Sequence, residues 1–191
     1  RRGVFGLWAG GEMSVGRDPS RLSRDFVGAA AAHGLTRASL GVQNLDPQVQ
    51  AAVNRFETPQ QVADAVEWLR AAGVRSINID LMCGLPHQTT ANTLDTVDAV
   101  LRFAPERIAL FGYAHVPWMK AHQKLIDEAA LPGPAERLDQ AERAAERLVA
   151  AGYVRIGLDH FALPGDELAK AAAEGRLHRN FQGYTTDVAP T

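Results

Sequence analysis

Apolar residues recur along the chain at two spacings. From Thr58 onward, Val62, Ala65, Val66 and Leu69 return every three or four positions, the period of one helix face. Thr58 and Gln61 can form a capping box and Pro59 suits the first helical position, so a helix opening at Thr58 is expected. Asp18-Pro19 is expected to open an earlier helix in the same way, and Leu94, Val97 and Leu101 mark another. Leu138, Ala141, Ala145, Leu148 and Val149 line a longer one running from Pro134 toward Gly152. Ala-His-Gly at 32–34 and Ala-Ala-Gly at 71–73 and 150–152 each close an apolar-periodic segment with the glycine that a left-handed C-cap favours. A strand-like run follows each closure: Ala38 to Val42, Ser76 to Leu81 and Val154 to Leu158. A fourth, Ile108 to Gly112, follows Pro105.

Strands and helices thus alternate, which implies an α/β fold with a parallel sheet and helical crossovers. No G-x-G-x-x-G or G-x-x-x-x-G-K-[ST] stands at a strand–helix turn, so the nucleotide-binding doubly wound sheets lose their best signature. The helix-closing glycines are spaced as one and then two repeats of similar length. The expectation is a partial (β/α) barrel of parallel strands with outer helices, incomplete at both ends.

Composition narrows the function classes. The 191 residues are 46% hydrophobic and 22% charged, enough to bury a core and too apolar for a disordered tail. Net charge is −2 and no basic run is long enough to neutralise a row of phosphates, which speaks against nucleic-acid partners. Cys83 is the only cysteine, so the chain can form neither an internal disulfide nor a Cys-only metal site, and a cytoplasmic location is expected. Apolar stretches are short and broken by Gly, Arg or Asp, so membrane insertion is not expected.

Strand alternation sorts the candidate chemistry, because parallel barrels carry their sites at the C-terminal strand ends. In Ala38–Gln43 the apolar face goes to the helices, leaving Ser39, Gly41 and Gln43 inward; likewise Asn78 and Asp80 point inward from the Ser76 strand. Hydrogen-bonded polar layers in a barrel interior would explain the same positions. Gly84-Leu85-Pro86 reads as a turn that either connects strand to helix or admits a ligand to the backbone. His115, His160 and His178 with Asp80 or Asp159 could form a metal site for hydrolysis, without any H-x-H spacing in support. Phe111, Tyr113 and Trp118 could wall a flat ligand or simply pack.

Longer segments carry a resemblance. Gly41-Val42-Gln43 with Val53-Asn54-Arg55, then Asn78-Ile79-Asp80-Leu81 leading into Gly84-Leu85-Pro86, resemble radical S-adenosylmethionine enzymes of the oxygen-independent coproporphyrinogen III oxidase family. Gly112-Tyr113-Ala114-His115-Val116-Pro117, Asp159-His160-Phe161-Ala162 and the run from Leu177 to Thr186 resemble that family more specifically. The resemblance spans residues 12 to 187, leaving 1–11 as an unplaced leader and 188–191 as a truncated tail. It implies S-adenosylmethionine and a [4Fe–4S] cluster as cofactors, coproporphyrinogen III as substrate, an unidentified electron acceptor, and a monomer. It also implies that Gln43 and Asp80 bind the ribose hydroxyls, and that Arg55 lies near the methionyl carboxylate. Phe111, Ala114, Phe181 and Gln182 would line the second S-adenosylmethionine or substrate side of the pocket. Catalytic residues are not assigned.

The chain departs from the family pattern in two places. The C-x-x-x-C-x-x-C cluster loop is absent, and Cys83 cannot replace three thiolates. Gly16, expected to point inward with Ser14 from a strand over 13–16, stands where the family has Glu. The expectation is the middle portion of a longer enzyme, inactive by itself. Alternatives are a haem-trafficking relative on the same barrel and a metal-dependent barrel hydrolase.

Overall fold

A computed structural model describes residues 12–157, 159–180 and 183–186. Four strands lie side by side and parallel: β1 (Ser14–Arg17), β2 (Arg37–Gln43), β3 (Ser76–Cys83) and β4 (Arg107–Gly112). Helices α1 (Arg24–Ala32), α2 (Pro47–Ala52), α3 (Pro59–Ala71) and α4 (Thr90–Leu101) lie between them in sequence. After α5 (Pro134–Ala150) come β5 (Val154–Arg155), β6 (His160–Ala162), α6 (Glu167–Ala173) and the hairpin pair β7 (His178–Asn180) and β8 (Gly183–Thr185).

The main sheet has the order β1-β2-β3-β4-β6-β5 and is mixed, because β6 runs antiparallel to both β4 and β5. The all-parallel expectation therefore fails at this edge. β5 runs in the direction expected of the Val154 strand, but its own hairpin return occupies the place beside β4, where Phe161 and Ala162 are buried. Short connections make such a return available to antiparallel strands alone. Leu158, the expected end of that run, lies outside the described residues.

Alternation divides the sheet into two faces. Ala38, Leu40, Val42, Ile77, Ile79, Leu81 and Ile108 are almost wholly buried and join Val62, Ala65, Val66 and Leu69 of α3 in the main core. Full burial of each larger aliphatic side chain contributes about 1.5–3 kcal/mol. The opposite face carries Ser39, Gly41, Asn78 and Asp80, all half-buried. The capping box of Thr58 and Gln61 forms at the start of α3 as expected.

Two helix expectations are corrected. Asp18-Pro19 begins only the 3-10 turn Pro19–Arg21: Asp18 caps Ser20 N, Leu22 returns to extended backbone, and Ser23 then caps α1 through Phe26 N. Along α5, Leu138 and Val149 are 59% and 51% exposed, because the buried line runs through Gln140, Ala144, Ala145 and Leu148. Gln140 turns the helix by recognising the β3–α4 connection: its Oε1 accepts from Gly84 N at 2.9 Å and its Nε2 donates to Gln88 O at 2.8 Å. Among the described residues, no helix is long and apolar enough to cross a membrane.

Candidate functional site

Gln43 ends β2 in a strained conformation. Its φ is +65°, and Asn44 N donates to Val42 O at 2.8 Å, closing a three-residue turn around it. Such turns cost roughly 1–3 kcal/mol for a residue with a side chain and cluster at ligand sites. The strand register also shifts between Gly41 and Gln43, which carries the Gln43 amide back over the strand. A Cβ on Gly41 would lie 2.9 Å from Gln43 Nε2 and 3.2 Å from Arg55 Nη2, so glycine is what lets both groups close over this point. Gln43 Oε1 is buried and has no hydrogen-bond partner among the described residues. Leaving such an oxygen unpaired costs about 1–3 kcal/mol, a cost that a donor on a ligand would remove.

Asp80 stands on the same face, with Gly41 as its cross-strand neighbour. It lies three residues before the end of β3, and this corrects the expectation that both Gln43 and Asp80 occupy strand ends: only Gln43 does. Ser39 Oγ donates to Asp80 Oδ2 at 2.9 Å, Asn78 Nδ2 donates to Oδ1 at 2.6 Å, and Asn78 Nδ2 also reaches Ser39 Oγ at 2.8 Å. Burial pushes the Asp80 carboxyl above its ordinary range, although those hydrogen bonds and the charges of His160 and Arg55 act the other way. Of the polar residues that alternation placed inward, Ser39, Asn78 and Asp80 thus form one bonded group, and Gln43 stands outside it.

Arg55 comes to Gly41 from the α2–α3 connection. Its Nη2 donates to Gly41 O at 2.5 Å and lies 3.5 Å from Asp18 Oδ2, while its Nε donates to Glu57 Oε1 at 3.0 Å. The guanidinium plane is therefore held from three sides. Glu57 is 4% exposed, and its pKa is raised to about 8, chiefly by burial, with Arg55 acting against the rise and Asp18 adding to it. Burial also acts to raise Asp18, but hydrogen bonds from Ser20 and Glu57 and the charge of Arg55 prevail and lower it. Sequence reasoning missed Glu57 and gave Asp18 only a capping role; an Arg-x-Glu pair in a loop reads as solvated charge until the fold buries it.

On the far side of Asp80 the row Asp80, Ala109, His160 crosses three strands in register. His160 packs edge-on against Phe111 at 5.8 Å and Tyr184 at 5.4 Å, and its Nδ1 bonds Asp159 Oδ1 at 2.7 Å. Phe111 is thus brought to the polar face. Ala114 is exposed beyond the end of β4, with its carbonyl taken by Gln123 Nε2 at 3.0 Å. Phe181 and Gln182 lie outside the described residues.

Other candidates separate. Tyr113 is buried and bonds His115 Nδ1 at 3.1 Å, while Trp118 is 76% exposed, so the aromatic trio does not form one wall. His115 Nε2 meets Glu128 Oε1 at 3.1 Å. Among the described residues no three His, Cys, Asp or Glu side chains gather around a point that could hold an ion, which leaves the hydrolase alternative without a site there. Cys83 is buried against Phe111 O, and burial pushes its thiol up. Gly84, at φ +87°, is approached by the chain's own Arg137, whose Nε would sit 2.7 Å from a Cβ there; the turn serves packing. Gly16 pairs with Ser39, and a Cβ added to it meets nothing within 4 Å.

Comparison with known proteins follows the same residues. The pattern of the Radical SAM superfamily matches residues 9–100. An oxygen-independent coproporphyrinogen III oxidase of Bradyrhizobium diazoefficiens is 52% identical over 186 residues, covering 97% of this chain and 41% of the relative. One from Cereibacter sphaeroides is 47% identical over 180 residues, covering 94% and 40%. The solved structure of coproporphyrinogen III oxidase (HemN) from Escherichia coli, a radical SAM enzyme, superposes with a TM-score of 0.89 at 42% identity, covering 92% of this chain and 41% of that one. The chain spans about two fifths of the length of these relatives.

Proposed function

We propose, for a chain homologous to the oxygen-independent coproporphyrinogen III oxidases over nearly all of its residues, that it is the S-adenosylmethionine-binding portion of such an enzyme. The whole enzyme would convert propionate side chains of coproporphyrinogen III to vinyl groups by oxidative decarboxylation during haem biosynthesis, passing electrons to an acceptor. The six-stranded sheet would then be a segment of a partial (β/α) barrel, working in the cytoplasm.

The observation that carries this reading is the buried, unpartnered Oε1 of Gln43, held in a strained turn beside Gly41 and one strand from Asp80. An amide oxygen and a carboxylate can accept from the two hydroxyls of a ribose. Arg55, its plane already set by Gly41 O, Glu57 and Asp18, would meet the methionyl carboxylate as an oriented cation. Phe111 and His160 would give the same face an aromatic flank. Radical cofactors supply the one-electron chemistry that removes hydrogen from an unactivated carbon. The residues present fit S-adenosylmethionine. They do not fit a [4Fe–4S] cluster, since the single Cys83 is buried in the core and three thiolates are required.

Calorimetric titration of S-adenosylmethionine into the chain tests the reading. Binding is expected, with Gln43→Ala and Asp80→Asn each weaker by about ten- to a hundredfold, the loss of a hydrogen bond to a charged or buried partner. No binding by the folded chain, or unchanged affinity in both variants, overturns it.

A further inference from the structure

Behind Arg55 lies a buried carboxyl group that the proposed binding leaves without a task. Glu57 sits in the connection between α2 and α3, pinned by Gln50, whose Nε2 donates to Glu57 O at 2.8 Å and whose Oε1 accepts from Glu57 N at 3.3 Å. Its side chain is 1% exposed and cannot turn to water without breaking those bonds. Oε1 holds Arg55 Nε, while Oε2 is buried and accepts from no N–H or hydroxyl of the described residues, which leaves it free to donate a retained proton to the Asp18 carboxylate. The charges facing Glu57 are Arg55 from its own connection and Asp18 from the turn after β1. Two carboxyl groups thus share one guanidinium, Glu57 fully buried and Asp18 and Arg55 partly exposed, an arrangement that favours a retained proton on the buried one.

We propose that Glu57 works as a neutral carboxylic acid that positions Arg55, orienting the guanidinium through Oε1 without adding a second negative charge, beside that of Asp18, to compete with a ligand carboxylate. The proposal rests on the binding reading above. Asp18 remains the ionised partner, consistent with its lowered pKa, and Glu57 keeps its proton up to about pH 8. Above that pH, a charged Glu57 would compete with the ligand for the same cation.

Nuclear magnetic resonance on the chain separates this from a merely structural role. Carbon-13 signals of labelled glutamate carboxyls follow the Glu57 proton, and the nitrogen-15 Nε–H signal of Arg55 follows the orientation of the guanidinium. One glutamate is expected to titrate near pH 8, to be missing in Glu57→Gln, and to shift toward the ordinary 4.5 in Asp18→Asn. The Arg55 signal should stay sharp in Glu57→Gln and broaden in Glu57→Ala. S-Adenosylmethionine affinity should fall about tenfold in Glu57→Ala, and Glu57→Gln should rescue it while removing the weakening seen in the parent above pH 8. A Glu57 that titrates near 4.5, or an Arg55 signal that ignores Glu57→Ala, overturns the proposal. If Glu57→Ala does not fold, the Asp18→Asn shift and the Glu57→Gln pH profile decide it. Absence of any S-adenosylmethionine binding while both resonance signatures hold overturns the functional reading and restricts Glu57 to fixing Arg55.

Discussion

Gln43 shows at the scale of one residue how stability and binding oppose each other. A glutamine at φ +65° is strained, and its buried Oε1 lacks a partner, yet both defects place a hydrogen-bonding amide over Gly41. Gln43→Gly relieves the backbone and removes the unpaired oxygen at once. Thermal unfolding should therefore show the variant more stable by roughly 1–2 kcal/mol, while its S-adenosylmethionine affinity falls. A destabilised Gln43→Gly would mean that the turn is not strained as its geometry indicates. Gly41 is the complementary case: its missing side chain is the space in which two functional groups meet, so its value lies in what it omits.

At the scale of elements, one buried glutamine joins a helix to a strand connection. Gln140 of α5 is fully buried, taking Gly84 N and giving to Gln88 O, and Gln88 in turn bonds Leu85 N and Met82 O. The network fixes the end of β3 without any charge. Gln140→Leu keeps the volume but strands two buried backbone groups, each costing about 1–3 kcal/mol. Urea unfolding should show a loss of roughly 2–6 kcal/mol, with faster amide exchange at Gly84. If the loss is below the cost of one such group, the network is not what holds α5 in place. The same bonds explain why Leu138 and Val149 face outward although their spacing suits a buried stripe: a specific polar contact overrides a weak difference in apolar area.

At the scale of the whole molecule, the buried carboxylates shape stability against pH. Glu57 holds its proton more tightly in the folded chain, near pH 8, than the ordinary 4.5 of an unfolded glutamate, so its contribution is complete below 4.5 and is lost as pH rises to about 8. Asp80, raised by burial, acts in the same direction, whereas lowered Asp18 contributes above the unfolded range and loses that contribution in acid. Unfolding free energy should therefore decline between pH 4.5 and 8, and Glu57→Gln should flatten the decline. A flat parent profile across that interval would show that Glu57 is ionised in the folded state. Local chemistry in the sequence was enough to determine the Thr58 cap, the buried face of α3, the two faces of β2 and β3, and the shared face of Gln43 and Asp80, because caps and alternation depend on near neighbours, whereas Arg55 was drawn to them only by the resemblance. Family resemblance supplied the roles. Only the tertiary structure decided that β6 returns antiparallel beside β4, that Asp18-Pro19 makes a single turn, and that Glu57 is buried against Arg55 and Asp18. Those outcomes depend on which distant segments meet, and burial changes the proton affinity of a carboxyl in ways that its sequence neighbours do not record.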